Sequence, residues 1–251
     1  MTRIKPHSKK WSNLGSSTRF YIITGGRGSG KSFEVTRFIN ILTFGEGNKI
    51  LYTRKTMTSA HLSIIPEFVE KMDLLDVKQY FEINKSEIKN KLSGSEVLFR
   101  GLKTSSGDQT ANLKSLQGVN NWVLDEAEEL TDEKTFDTIN LSIRDNGQQN
   151  RVILILNPTT RDHWIYKRFF EECGVEPNFT GVKGNVTYIH STYLDNYDNL
   201  PEDYINEIEH IRDTNPDKYE HVILGSWLQR AEGTVFTNWS LGSFNPDNLQ
   251  V

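Results

Sequence analysis

Apolar residues in this chain gather into short continuous runs, separated by stretches in which they recur every three or four positions. The runs are Phe20–Ile23, Ile50–Thr53, Val97–Arg100, Trp122–Leu124, Val152–Leu156 and Val186–His190. Continuous runs of this length predict strands buried on both faces, as in a parallel sheet. After Lys31, the residues Val35, Phe38, Ile39 and Leu42 fall on one face of a helix. Thr131 followed by Asp132 and Glu133 reads as an N-cap with acids in the first turn, and Phe136, Ile139 and Ile143 mark the buried side. Pro201 suits a first helical turn ahead of Ile205, Ile208 and Ile211; Pro216 opens another helix that Gly225 closes. Residues 87–101, EIKNKLSGSEVLFRG, read as a hairpin turning at Ser93-Gly94-Ser95. The pattern predicts an α/β fold, a mostly parallel sheet flanked by helices with an inserted hairpin.

Composition narrows this only slightly. The 251 residues suffice for one large domain or two small ones, and 36% hydrophobic with 25% charged residues is ordinary for a soluble protein. No apolar run approaches the ~20 residues that span a bilayer, so no membrane partner is expected. The single cysteine, Cys173, excludes an intrachain disulfide and fits a cytosolic compartment. The amino terminus has no apolar core and does not read as a secretory signal. Its basic residues Arg3, Lys5, Lys9 and Lys10 read as a solvated tail. With a net charge of −4, a DNA partner would have to be met by a local patch or by a ring of subunits.

Gly25-Gly26-Arg27-Gly28-Ser29-Gly30-Lys31-Ser32 matches G-x-x-x-x-G-K-[ST] in full, between a predicted strand and a predicted helix. Glycines let the backbone curl so that successive N–H groups face phosphate oxygens, and the helix adds its positive end. Lys31 is expected on the β- and γ-phosphates of ATP and the Ser32 hydroxyl on Mg²⁺. In NNWVLDEAEEL, an apolar strand ends at Asp125, expected to support the Mg²⁺ shell, followed by Glu126, placed to orient or deprotonate an attacking water. In VILILNPTT, Asn157 ends a buried strand; it is either a γ-phosphate sensor at the ligand edge of the sheet or part of a plain Asn-Pro turn.

Together, GGRGSGKS, LFRGL, WVLDEAEEL, NPTT, STYLDN and GSWL, followed by GTVFTNW, resemble the ATPase half of the large terminase subunit of tailed bacteriophages, from about Arg19 to Trp239. The resemblance implies a P-loop ATPase core over residues 19–190 after an N-terminal arm (1–18). It then implies a small C-terminal lid subdomain over 191–239, and in 240–251 the start of a linker to a nuclease domain that this stretch does not include. Cutting of DNA is therefore not expected. It implies hydrolysis of ATP to drive double-stranded DNA into a procapsid, with portal protein and small terminase subunit as partners. A homo-oligomeric ring is implied on the procapsid and a monomer in isolation, in the cytoplasm of the infected host and outside the mature virion. Arg27 is implied as an arginine finger in cis, the alternative being a solvent-facing loop residue. For a basic residue acting in trans, Lys114 comes first and Arg100 and Arg144 after it, although lysine is the poorer bidentate clamp. The polar stretch Lys103–Gln117 is either an ordinary surface loop or one that faces the ring or the DNA. Trp11 stacks on adenine or packs at the surface.

Other classes fit less well. A helicase-like remodeller shares the P-loop and Asp-Glu pair. A GTPase switch would need N-K-x-D, and Asn84-Lys85-Ser86-Glu87 lies in the hairpin region rather than at a strand end. A non-hydrolysing scaffold is at odds with intact Lys31, Ser32, Asp125 and Glu126. No Cys/His spacing suggests zinc.

Overall fold

The computed structural model describes residues 8–57, 60–104, 107–108 and 117–229. Among them, one ten-stranded sheet organises the molecule. Its centre is six parallel strands, in spatial order β5 (Glu96–Thr104), β2 (Lys49–Thr56), β7 (Asn121–Asp125), β8 (Arg151–Leu156), β1 (Phe20–Gly25) and β10 (Val186–Ser191). Antiparallel strands finish the edges. β9 (Gly181–Lys183) joins β10, while β4 (Glu87–Asn90), β3 (Phe81–Ile83) and β6 (Gly107–Asp108) extend the β5 side. The six apolar runs are the six parallel strands, and the hairpin is β4 with β5, whose second arm also pairs with β2.

Alternation along each strand feeds two cores. Tyr21, Ile23, Tyr52, Val123, Ile153 and Ile155 face helices α1 (Lys31–Leu42) and α2 (Ala60–Leu74), meeting Val35, Ile39, Ile65, Phe68 and Met72. On the other face, Ile22, Leu51, Trp122, Leu124 and Leu154 meet Phe136 and Ile139 of α3 (Glu133–Asn140) and Trp164, Phe169 and Phe170 of the helical turns at 164–171. Each such side chain contributes about 1.5–3 kcal/mol on burial, so the strand positions are rigidly held.

Three expectations change. The α3 cap is Asp132, not Thr131: its carboxylate accepts from the backbone N–H groups of Lys134 and Thr135, where a charged acceptor also favours the helix dipole. Trp11 is 5% exposed and packs with Leu14 into the α1 side of the core, so it is not available to stack on adenine. Lys10 is no solvated tail residue; its Nζ donates to the His190 carbonyl and to Asp195, each at 2.9 Å.

The chain after β10 builds a separate small cluster. Tyr193, Ile208 and Ile223 are buried there, with Leu200, Tyr204, Ile211 and Val222 around them. Tyr193 and Leu200 come from the 3₁₀ turn Tyr193–Asn199 and its C-cap, the others from α4 (Glu202–Thr214), for which Pro201 is the cap, and from Pro216–Lys218 running on into a π-helical turn, Tyr219–Ile223. Gly225, at φ +75°, closes that turn as expected. Among the described residues, no helix is long and apolar enough to cross a membrane.

Candidate functional site

Parallel pairing brings the carboxyl ends of β1, β8, β7 and β2 to one edge, where ligands bind in such sheets. The glycine-rich loop runs from the end of β1 to the start of α1. Gly25, Gly28 and Gly30 have positive φ, and Gly30, at φ +78°, is the cap from which α1 departs. Among the described residues, the N–H groups of Gly28, Ser29, Gly30, Lys31 and Ser32 have no acceptor. A row of free N–H groups at a helix start is an anion site.

Lys31, 8% exposed, crosses the loop from inside. Its Nζ donates to the carbonyls of Gly25 (2.7 Å) and Gly26 (2.8 Å), to Ser29 Oγ (3.2 Å) and to Asn157 Oδ1 (3.0 Å). None of these partners carries a charge. Burial lowers its pKa to about 8, against the upward pull of Glu128 and Asp125. Asn157 in turn donates from Nδ2 to Glu128 Oε1 at 3.2 Å. Burial pushes the Glu128 carboxyl up, and its Oε2 has no donor among the described residues. Such an atom costs about 1–3 kcal/mol, which a ligand bringing a donor would relieve.

At the next strand tip Asp125 is buried. Its Oδ2 accepts from Tyr52 OH (2.9 Å) and Arg54 Nε (2.8 Å), with Arg54 Nη2 at 2.6 Å completing the ion pair, and its Oδ1 accepts the Glu126 N–H at 3.1 Å. Glu126 sits at φ +54°, ψ +47°, a left-handed conformation that a non-glycine residue holds only at a cost. That turn carries its half-exposed carboxylate out of the strand line, 3.8 Å from Arg54 Nη1. Burial raises the Glu126 pKa, and Arg54 opposes the shift.

These findings agree with comparison to known proteins. Residues 17–226 match the family model described as "Phage terminase large subunit". The chain belongs to the phage terminase large subunit family. It is 27% identical over 219 residues to the terminase large subunit of Bacillus phage SPP1, covering 83% of this chain and 49% of that protein. It is 25% identical over 227 residues to the PBSX phage terminase large subunit of Bacillus subtilis, covering 86% and 51%. The chain thus spans about half the length of the curated relatives it matches. Among solved structures, the large terminase of a thermophilic bacteriophage superposes with a TM-score of 0.67 at 16% identity, over 89% of this chain and 54% of that one. That thermophilic-phage protein is also known in complex with ADP and with ATP-γ-S. The large terminase ATPase domain of Thermus phage P74-26 gives 0.60 at 18% identity, over 87% and 92%.

Within this terminase fold, the loop is clasped from behind by the last residue of β10 and the segment that follows it. Arg27 N–H donates to the Val222 carbonyl (3.0 Å), Ser191 Oγ to the Ser29 carbonyl (2.9 Å) and Asn196 Nδ2 to the Gly28 carbonyl (2.9 Å). A Cβ on Gly26 would lie 1.9 Å from the Ile223 carbonyl oxygen, and one on Gly225 2.5 Å from Gly25 C. The seam is backbone against backbone and tolerates no side chain at either position.

The structure brings Lys31 and Asn157 into contact and sets Asp125 and Glu126 at the strand tip beyond. The Arg27 side chain is exposed on the loop. Arg100 is tied to the carbonyls of Ser86 and Phe99, and Arg144 is exposed before β8, at the opposite edge of the sheet. Lys114, most of Lys103–Gln117, and GTVFTNW lie outside the described residues. The turn Asn84–Glu87 joins β3 to β4, away from the strand tips. Sequence reading missed Tyr52, Arg54 and Glu128. A visible signal for Arg54 was an arginine directly after the apolar run ending at Thr53. For Glu128 it was a third acid behind the Asp-Glu pair.

The residues fit a magnesium ion carried by a nucleotide. Among the described residues, no group of three or more His, Cys, Asp or Glu side chains is placed to hold a metal. One hydroxyl (Ser32) and one carboxylate (Asp125) supply hard oxygen. Mg²⁺ commonly takes this little from protein and the remainder from phosphate and water.

Proposed function

We propose that this domain binds Mg²⁺-ATP at the strand tips and hydrolyses it to drive double-stranded DNA into a procapsid. The observation that carries the proposal is Lys31, buried among uncharged partners and bonded to Asn157, one strand away from Asp125 and Glu126. A buried ammonium with no carboxylate on it is a site prepared for anionic phosphate. The ADP and ATP-γ-S complexes of the thermophilic-phage large terminase support the choice of nucleotide.

The free N–H groups of Gly28–Ser32 and the Lys31 ammonium bind the phosphate chain. Ser32 and Asp125 would hold Mg²⁺, which supplies charge neutralisation on the phosphates when bound. Glu126 orients a water in line with the γ-phosphorus and accepts its proton as the bond to the β–γ bridging oxygen breaks; ADP and inorganic phosphate leave. Arg27, on the exposed arm of the loop, offsets charge on the departing phosphoryl group, and a basic residue such as Lys114 from a neighbouring subunit adds to it in an assembled ring. Asn157 senses the γ-phosphate through Lys31, and its loss reaches the lid through the Gly25–Gly26–Gly225 seam. The proposed division is an N-terminal arm (1–18), the ATPase core (19–190) and a lid subdomain (191–239). Portal protein and small terminase subunit are the assembly partners, in the cytoplasm of the infected host.

The test is phosphate release from Mg²⁺-ATP by wild type and Lys31→Ala. Turnover in wild type and loss of it in the variant are expected; equal turnover in both removes the reading.

A further inference from the structure

The phosphate loop can bind an anion only if its N–H groups face the ligand, and each shares a peptide with a carbonyl. In a planar trans peptide the C=O and the following N–H point opposite ways, so a carbonyl held back aims its N–H forward. Two loop carbonyls are held in this way. Gly28 O accepts from Asn196 Nδ2 (2.9 Å), which aims the Ser29 N–H, and Ser29 O accepts from Ser191 Oγ (2.9 Å), which aims the Gly30 N–H. Gly30, at φ +78°, can let that second peptide turn over once its carbonyl is released. The Ser191 hydroxyl has another acceptor close by, Asp195 Oδ2 at 3.4 Å, and its one proton cannot serve both. Ser191 is wholly buried, away from water that could replace a lost bond.

Occupation of Asp195 Oδ2 decides where that proton goes. Lys10 Nζ and the Thr192 N–H each donate to Oδ2 at 2.9 Å, which fills its two acceptor sites; Thr192 Oγ1 stands further off at 3.5 Å. Lys10 reaches in from the amino-terminal arm and is steadied by the His190 carbonyl at 2.9 Å. Burial works to raise the Asp195 pKa, but the Thr192 N–H, Lys10 and Ser8 hold it below the ordinary carboxylate range, so the acid stays charged.

We propose that Lys10 is a positioning residue for nucleotide: by occupying Asp195 it leaves the Ser191 proton to the Ser29 carbonyl, and so keeps the Gly30 N–H turned to the phosphates. This rests on the nucleotide reading above and adds the amino-terminal arm to it. Without Lys10 the uncompensated carboxylate is the stronger acceptor, because hydrogen bonds to charged groups exceed those to neutral carbonyls. The Ser191 proton then passes to Asp195, and the loop loses its tie from behind. A lysine that only fastened the arm to the core would have no such link to the ligand.

The experiment is calorimetric binding of ADP to wild type, Lys10→Met, Ser191→Ala and the double variant Lys10→Met/Asp195→Asn. Lys10→Met should weaken ADP about tenfold, the worth of one hydrogen bond from the loop, and Ser191→Ala by a similar factor. In the double variant no carboxylate competes for the Ser191 proton, so affinity returns to within about twofold of wild type although the ion pair is gone. A purely structural fastening is lost in both Lys10 variants and would give them equal affinities. ADP binding that is unchanged in Lys10→Met or in Ser191→Ala, or as weak in the double variant as in Lys10→Met, overturns the proposal. If Lys10→Met does not fold, the other two decide: unchanged binding in Ser191→Ala, or a loss in the double variant as large as that in Ser191→Ala, overturns it. Absence of ADP binding in wild type would instead remove the nucleotide reading on which the role of Lys10 stands.

Discussion

Lys31 and Arg54 are cations on neighbouring parts of one sheet edge, neutralised in opposite ways. Lys31 is surrounded by carbonyls, a hydroxyl and an amide, and burial drops its pKa to about 8. Arg54 is closed on a buried carboxylate, and Asp125 holds its guanidinium firmly protonated against the effect of burial. The first is a charge kept waiting for a partner that the protein does not contain. The second already has its partner in Asp125. Burying the Lys31 ammonium among uncharged groups therefore costs folding free energy, whereas the Arg54 charge is compensated in place by Asp125.

The largest difference should appear in stability without nucleotide. Arg54→Met strands the Asp125 charge and should lower unfolding free energy by about 3 kcal/mol, whereas Lys31→Met removes a costly buried ammonium and should stay within about 1 kcal/mol of wild type. Denaturant titrations check this; equal losses would break the contrast. Next is Gly225→Ala, which forces a Cβ against the backbone of Gly25 and Gly26, whose carbonyls cradle Lys31. It should cost about 1–3 kcal/mol by the same measurement. Asn157→Leu removes the polar contact from Lys31 without touching Arg54 and should weaken ADP about tenfold in equilibrium binding.

The smallest effect is a proton. Lys31 in the empty protein loses its proton as pH rises through about 8, while unfolded lysine keeps it to a higher pH. Between those values the unfolded chain holds more protons, so stability of the empty protein rises with pH across that window. Phosphate reverses the shift, so binding at about pH 9 should take up close to one proton and at about pH 7 none. Calorimetry in two buffers of different ionisation enthalpy reads this, and identical enthalpies at about pH 9 would contradict it.

The sequence made one half of this contrast plain. Glycine spacing around Lys31 has few uses, and six apolar runs located the strands that carry Lys31, Asp125 and Asn157 to one edge. Arg54 stayed hidden because an arginine after a strand acquires meaning only when parallel pairing sets β2 beside β7. Contacts between Gly26 and Ile223, far apart along the chain, leave no local pattern at all. Trp11 misled because an aromatic in a basic, polar segment looks exposed, while the short 3₁₀ turn at Lys9–Gly15 aims it and Leu14 into the core. The α3 cap slipped by one residue, where Thr131 and Asp132 are both good caps and the carboxylate reaches two N–H groups.

The most direct test of the central claim is phosphate release and ATP binding measured side by side for wild type and Glu126→Gln. Retained binding with turnover lower by about 10²–10⁴-fold is the predicted result, since the amide keeps the shape of the site but cannot accept a proton. Unchanged turnover in Glu126→Gln would contradict the account, because the left-handed turn at Glu126 would then serve no step of the reaction.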